Sequence, residues 1–237
     1  ALTGGLKPSE VALKHRKEDI TLAETIRRAG FDPDVMTSGK VLADLSKIAA
    51  FIELHIEQGP RLDASDKERV GIVTGIRGNL RHQACQVLGE TAHSGAVDRE
   101  FRHDAVMALG ELLSRMDRHW VSWLAAGQDL VFTCGVVNTA STAAIAIIPG
   151  EVTFGLDMRS LDMQTLARFH ALMEAEAQDI GREKRVRFVF DDVLVCESCK
   201  VSDDVRGRLE AAARKHGIPY QAMPSGAGHD SAVRGNA

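Results

Sequence analysis

The chain has 237 residues, 44% hydrophobic and 26% charged, with a formal net charge of −4. That length can bury a real core as one large domain or two small ones. Neither a nucleic-acid nor a membrane partner is expected: Lys and Arg are not clustered into a basic face, and no apolar run reaches the ~18 residues of a membrane span.

In chain order, Thr21-x-x-Glu24 reads as a capping box opening a short helix that Gly30 closes. A second helix is predicted over 44–51, running into a strand through Glu53-Leu-His-Ile56, and 70–74 reads as another short strand. Gly75 and Gly78 then punctuate the chain and set a domain boundary. Residues 79–90 alternate as a strand, with Ala84, Gln86 and Leu88 against Cys85 and Val87. Phe101, Ala105, Leu109, Leu112 and Met116 recur at helical spacing, and 130–138 is strand-like. Val152, Phe154, Leu156 and Met158 alternate with period two. Leu166, Phe169, Met173 and Ile180 mark another helix, and Val186, Phe188 and Phe190 a closing strand. The order βαββαβ is that of a ferredoxin-like unit. The expectation is an α/β protein in which that unit, 79–195, is inserted between 1–78 and 196–237, two parts of one other domain. Ser202 caps a last helix that Gly217 and Pro219 end.

Four cysteines do not make a disulfide scaffold. Cys196-x-x-Cys199 lacks the second pair of a zinc ribbon, and Cys85 and Cys134 stand alone in apolar contexts. Reduced thiols in a cytoplasmic protein are expected, and the N-terminus lacks the pattern of a secretory signal.

Chemistry concentrates in a few places. A strand at 53–57 would put Glu53, His55 and Glu57 on one face, as either a zinc-type ligand between carboxylates or a polar strand surface. Gly59-Pro60 would end that strand and leave His55 and Gln58 near its tip. His93 lies in a loop of small residues. Arg159, two residues after Asp157, could clamp a carboxylate or pair with Asp157. His229 follows Gly226-Ala-Gly228, where backbone can approach a ligand. His15, His82, His103, His119, His170 and His216 read as structural residues on helical or amphipathic surfaces.

Four motifs in order carry a specific resemblance: E-L-H-I-E-Q-G-P at 53–60, A-H-S-G at 92–95 with R-H-D-A nine residues after His93, I-I-P-G-E-V-T-F-G-L-D-M-R-S at 147–160, and G-A-G-H-D-S at 226–231. Together they resemble the N-carbamoyl-L-amino-acid hydrolase, allantoate amidohydrolase and β-ureidopropionase branch of the M20 metallopeptidase superfamily. The resemblance implies a zinc-aminopeptidase-like catalytic domain with two divalent metal ions, zinc or else manganese or cobalt, and a ferredoxin-like lid that forms a homodimer. It makes His55 a metal ligand and Gln58 a substrate contact. His93 would reach into the partner's site to polarise the ureido carbonyl. Arg159 would bind the substrate carboxylate, and His229 would line the pocket. The implied reaction cleaves a linear C–N bond of a ureido or carbamoyl amino acid. The family's other metal ligands have no counterpart in these residues, so little or no metal and no activity are expected of this chain alone. Ala146 stands where the family commonly has an asparagine that donates to the substrate carboxylate, beside Arg159, and Ala96-Val97-Asp98-Arg99 replaces the usual Thr-Thr-Pro-Met. A non-catalytic dimerisation and ligand-binding module and an M20 dipeptidase are the rival readings. E-L-H-I-E-Q-G-P fits the carbamoylase branch better than the dipeptidase.

Overall fold

In the computed structural model, which describes residues 6–15, 17–41 and 44–235, the chain divides into two units, Ala1–Ile52 and Glu53–Ala237. The first unit holds three short helices, α1 (Pro8–Val11), α2 (Leu22–Arg28) and α3 (Pro33–Thr37). Thr21 caps α2 by accepting from the Glu24 amide at 3.2 Å, while the Glu24 carboxylate turns to Arg28 at 2.9 Å. Only half of the expected capping box is therefore made. The helix predicted over 44–51 is reduced to a 3₁₀ turn, Leu45–Lys47. Asp44 Oδ1 accepts from both the amide and the hydroxyl of Ser46, at 3.1 and 2.6 Å. Such a local side-chain partner competes with helical pairing.

The second unit contains β1 (Val70–Ile76), β2 (Gly78–Leu88), β3 (Ala92–His93), α4 (Ala105–Ala125), β4 (Val131–Thr139), β5 (Ile147–Ile148), β6 (Glu151–Ser160) and α5 (Met163–Lys184). It continues with β7 (Arg187–Val189), β8 (Leu194–Cys196), β9 (Cys199–Lys200), α6 (Asp203–Lys215), β10 (Tyr220–Ser225) and α7 (Asp230–Gly235). One sheet has the order β4-β6-β2-β7, with β8 continuing beside β2, and every pairing in it is antiparallel. The helices α4 and α5 pack on each other and on this sheet. Their apolar stripes, Leu112 and Met116 from α4 and Leu166, Phe169, Met173 and Ile180 from α5, meet Val87, Phe154 and Met158 in one buried cluster. Phe169 sits edge-on to Trp123 and Phe132, with centroids 5.2 and 5.7 Å away. Asp104 and Asp162 cap the two helices through the amides of Met107 and of Gln164 and Thr165.

A second sheet has the order β10-β1-β9, with β1 and β10 parallel. The chain changes sheet at Arg77, between β1 and β2, and again between β8 and β9. Gly78 is needed at the first change, since a Cβ there would lie 2.5 Å from the Ser198 nitrogen and 2.6 Å from the Cys196 oxygen of the second. Among the described residues no helix is long and apolar enough to cross a membrane.

Three expectations are corrected. Residues 53–58 form no strand. A register shift between His82 and Cys85 breaks the simple alternation of β2. His82 thereby joins the buried side, 4% exposed, rather than an amphipathic surface. Its Nδ1 lies 3.1 Å from Asp191 Oδ1, and its Nε2 lies 2.8 Å from His170 Nε2.

Candidate functional site

The segment 53–58 runs beside the loop between β10 and α7, and a cavity of about 280 Å³ lies there, lined by His55, Gln58, Arg77, Ser225 and His229 among others. The loop is short because β10 ends at Ser225 and Gly226-Ala-Gly228 leads into α7. Without the expected strand, the Glu57 carboxylate turns to the backbone that follows it. Its two carboxylate oxygens accept from the Arg61 and Leu62 amides at 2.8 and 2.9 Å. That cap holds the turn in which Gln58 takes φ +55°, a left-handed conformation uncommon outside glycine.

His55 Nδ1 donates to the carbonyl of Ile56 at 2.6 Å, which leaves Nε2 with its lone pair. A backbone carbonyl on one ring nitrogen is the usual way to fix a histidine for metal binding through the other. His229 stands against it, ring centroids 4.5 Å apart and nearly perpendicular. Its Nε2 is 2.5 Å from the Ser225 hydroxyl. Its Nδ1 is buried without a hydrogen bond, and the nearest acid is Glu53 Oε1 at 3.5 Å. Glu53 Oε2 accepts from the Ser231 amide at 3.0 Å. That amide chiefly, with Ser231's side chain and His229, holds the Glu53 carboxyl below its ordinary pKa. Glu53, His55 and His229 thus present ligand-type atoms within 4.8 Å of one another. An orphaned buried nitrogen beside a carboxylate and a free imidazole lone pair is a donor set that fits a divalent cation.

Arg159 lies on β6 and its guanidinium is engaged. Nε and Nη2 meet Asp157 Oδ2 at 3.0 and 2.5 Å, and Nη1 donates to the Gly226 carbonyl. The Asp157 pair foreseen from the sequence is present, and the same side chain touches the loop that carries His229. His93 stands apart from this group. It is exposed on β3, where its Nδ1 accepts from the Gly95 amide at 3.1 Å and its Nε2 is left outward. Ala146 is not beside Arg159. Its carbonyl accepts from Ser94 at 3.0 Å, next to the two-stranded ladder of β3 and β5, whereas Arg159 is in register with Asn79 and Val131 of the large sheet. An asparagine at 146 would therefore neighbour His93.

Two residues escaped the sequence reading. Arg77 lines the cavity, donates its amide to the Ser225 carbonyl at 3.1 Å, and grips Asp129 through Nε at 3.0 Å and Nη2 at 2.5 Å. An arginine set between Gly75 and Gly78 was the available signal. Ser225 had none beyond its place at the head of S-G-A-G-H.

Residues 74–185 match the model of the peptidase dimerisation domain of the M20 group. Over 99% of its length the chain is 31% identical to an allantoate amidohydrolase of Bacillus subtilis, covering 54% of that protein. Over 97% it is 30% identical to an N-carbamoyl-L-amino acid amidohydrolase of Geobacillus stearothermophilus, covering 54%. A crystal structure of a hydantoinase/carbamoylase family amidase from Burkholderia multivorans superposes on 99% of the chain and 54% of its own, with a TM-score of 0.84 at 24% identity. That likeness is one of fold. The chain spans about half the length of the curated relatives it matches.

Proposed function

We propose, on the match of residues 74–185 to the peptidase dimerisation domain, that the whole protein is a metal-dependent amidohydrolase of ureido or carbamoyl amino acids. N-carbamoyl-L-amino acids and allantoate are the substrate classes suggested by the relatives' names. The observation that carries the reading is the convergence of His55, with its free Nε2, and His229, with its orphaned Nδ1, on one cavity.

His55 would hold a divalent cation through Nε2, the Ile56 carbonyl keeping the ring in that tautomer, and a cation so held would supply Lewis-acid polarisation and a water-derived nucleophile at neutral pH. Gln58, fixed by the Glu57-capped turn, meets the substrate from the cavity wall. His229, wedged between Ser225 and Glu53, orients the substrate amide. Arg159 receives the substrate carboxylate at the edge of the Gly226 loop, exchanging part of its hold on Asp157. His93 acts across a two-fold interface, its outward Nε2 donating to the oxygen on which negative charge develops. Zinc is the ion that imidazole and carboxylate donors suit best, with manganese or cobalt able to replace it.

The domain reading is part of the same proposal: 79–195 is a ferredoxin-like lid and dimerisation unit set between 1–78 and 196–237. The helix–strand order of the large sheet and the two changes of sheet beside 78 and 196 support it. A cytoplasmic location, supported by cysteine usage without a disulfide framework, completes it.

Ammonia release from N-carbamoyl amino acids and allantoate, assayed on the protein carrying this chain, tests the reading. His55→Ala is expected to abolish turnover and to empty the cavity of its ion. His93→Ala is expected to lower kcat by about 10²–10³ with metal content unchanged. Full turnover in His55→Ala would end the proposal.

A further inference from the structure

A second set of ligand-type side chains lies where β2 bulges. There His82, Cys85 and Asp191 bring a ring nitrogen, a sulfur and a carboxylate oxygen within 4.8 Å of one another. We propose that these three residues form a separate mononuclear site for a zinc-type divalent cation, held in place by His170. The site lies outside the cavity described above and goes beyond the hydrolase reading.

The donors suit the ion, since zinc takes nitrogen, sulfur and oxygen ligands together. Their spacing suits it too. His82 Nδ1 is 3.1 Å and Cys85 Sγ 3.4 Å from Asp191 Oδ1, near the ligand–ligand separation of a tetrahedron with bonds of about 2.0–2.3 Å. The aim of each donor is fixed from behind. Asp191 Oδ2 accepts from the Gln83 and Ala84 amides at 2.9 and 3.1 Å, which turns Oδ1 toward His82 and Cys85. His82 Nε2 meets His170 Nε2 at 2.8 Å, and His170 Nδ1 faces Glu174 at 3.6 Å. A carboxylate–imidazole chain behind a ligand histidine is what orients such a ligand and raises its basicity.

Charge also balances. A thiolate and a carboxylate cancel the 2+ ion, so the filled site is neutral where Cys85 is fully buried and His82 is 4% exposed, avoiding the cost of an unpaired buried charge. Asp191, with its side chain 28% exposed, leaves room for a water as fourth ligand. Without metal, His82 Nδ1–H donates to Asp191 and His170 Nε2–H donates to His82. On binding, Cys85 gives its proton to solvent and His82 carries its proton on Nε2, donating to His170. The His170 proton then sits on Nδ1, toward Glu174. One proton leaves per ion, and two histidines exchange tautomers.

Cobalt(II) added to the metal-stripped protein is the probe. One equivalent is expected to raise a thiolate-to-cobalt charge-transfer band and to release one proton. Cys85→Ser should remove the band, and His170→Ala should weaken binding by about 10–100-fold. The double variant His55→Ala, His229→Ala should keep the band, which separates this site from the cavity group. Should Cys85→Ser not fold, ¹⁵N resonances of His82 in the unaltered protein with zinc decide. A metal-bound Nδ1 with a protonated Nε2 supports the site, and a retained Nδ1–H overturns it. A folded protein that gives no charge-transfer band, or a band that survives in folded Cys85→Ser, overturns it as well.

Discussion

Arg159 has two claims on its guanidinium. Asp157 and the Gly226 carbonyl hold it now, and a substrate carboxylate would compete for the same donors. If it binds substrate, Arg159→Ala should cost roughly 2–5 kcal/mol in kcat/KM, as losing one partner of a desolvated charge pair does. The loss should vanish on a ureide whose carboxylate is replaced by an amide. Equal loss on both substrates would make the residue a brace for the Gly226 loop. Cys85 offers a second check, because burial chiefly pushes its thiol pKa up to about 12, while Cys196 is exposed. Iodoacetamide at mildly alkaline pH should label Cys196 in the metal-free native protein and reach Cys85 only after unfolding, which peptide mass mapping reads directly. That His55 and His229 are candidates was legible because each sits in a dense local motif, and the two meet at one cavity. Arg77 was not, since its cavity role rests on Asp129, 52 residues away. His82 was misread for the same reason: its partner Asp191 lies 109 residues on.

The elements that sequence patterning located best are those whose apolar repeats outnumber their local distractions, α4, α5 and β6. Where local side chains or long-range pairing decide, it failed. The Asp44–Ser46 bonds cut short the helix at 44–51, and β8 and β9 are too short to show a period and exist only because β2 and β1 offer edges. Within α5, Phe169→Ala should cost about 3–5 kcal/mol, measured by denaturant unfolding, since it removes a fully buried ring from the centre of the cluster. Asp162→Ala should destabilise the fold through the lost cap. The Thr165 hydroxyl first, then the Gln164 amide, hold the Asp162 carboxyl below its ordinary 3.8. A depressed carboxyl stabilises the fold above its unfolded-state value and loses that contribution as pH falls through the lower folded value. The gap between Asp162→Ala and the parent should therefore be full at neutral pH and close in acid below about 3.8. A gap unchanged at pH 2 would show that the cap acts without its charge.

On the scale of the whole molecule, β4 ends the large sheet's order, and its Val136 and Val137 are about half exposed, at 49% and 51%. An apolar unpaired edge invites a second copy. Sedimentation at micromolar concentration should give a dimer, and Val137→Lys should shift it to monomer without loss of helix signal. The paired changes of sheet set a mechanical condition of their own. Because Gly78 leaves no room between its backbone and residues 196–198, the two connecting segments touch side by side, like two straps on one pin. Arg77, holding Asp129 with its guanidinium and Ser225 with its amide, binds the end of β10 to the turn before β4, so one residue beside the crossing ties the two sheets together.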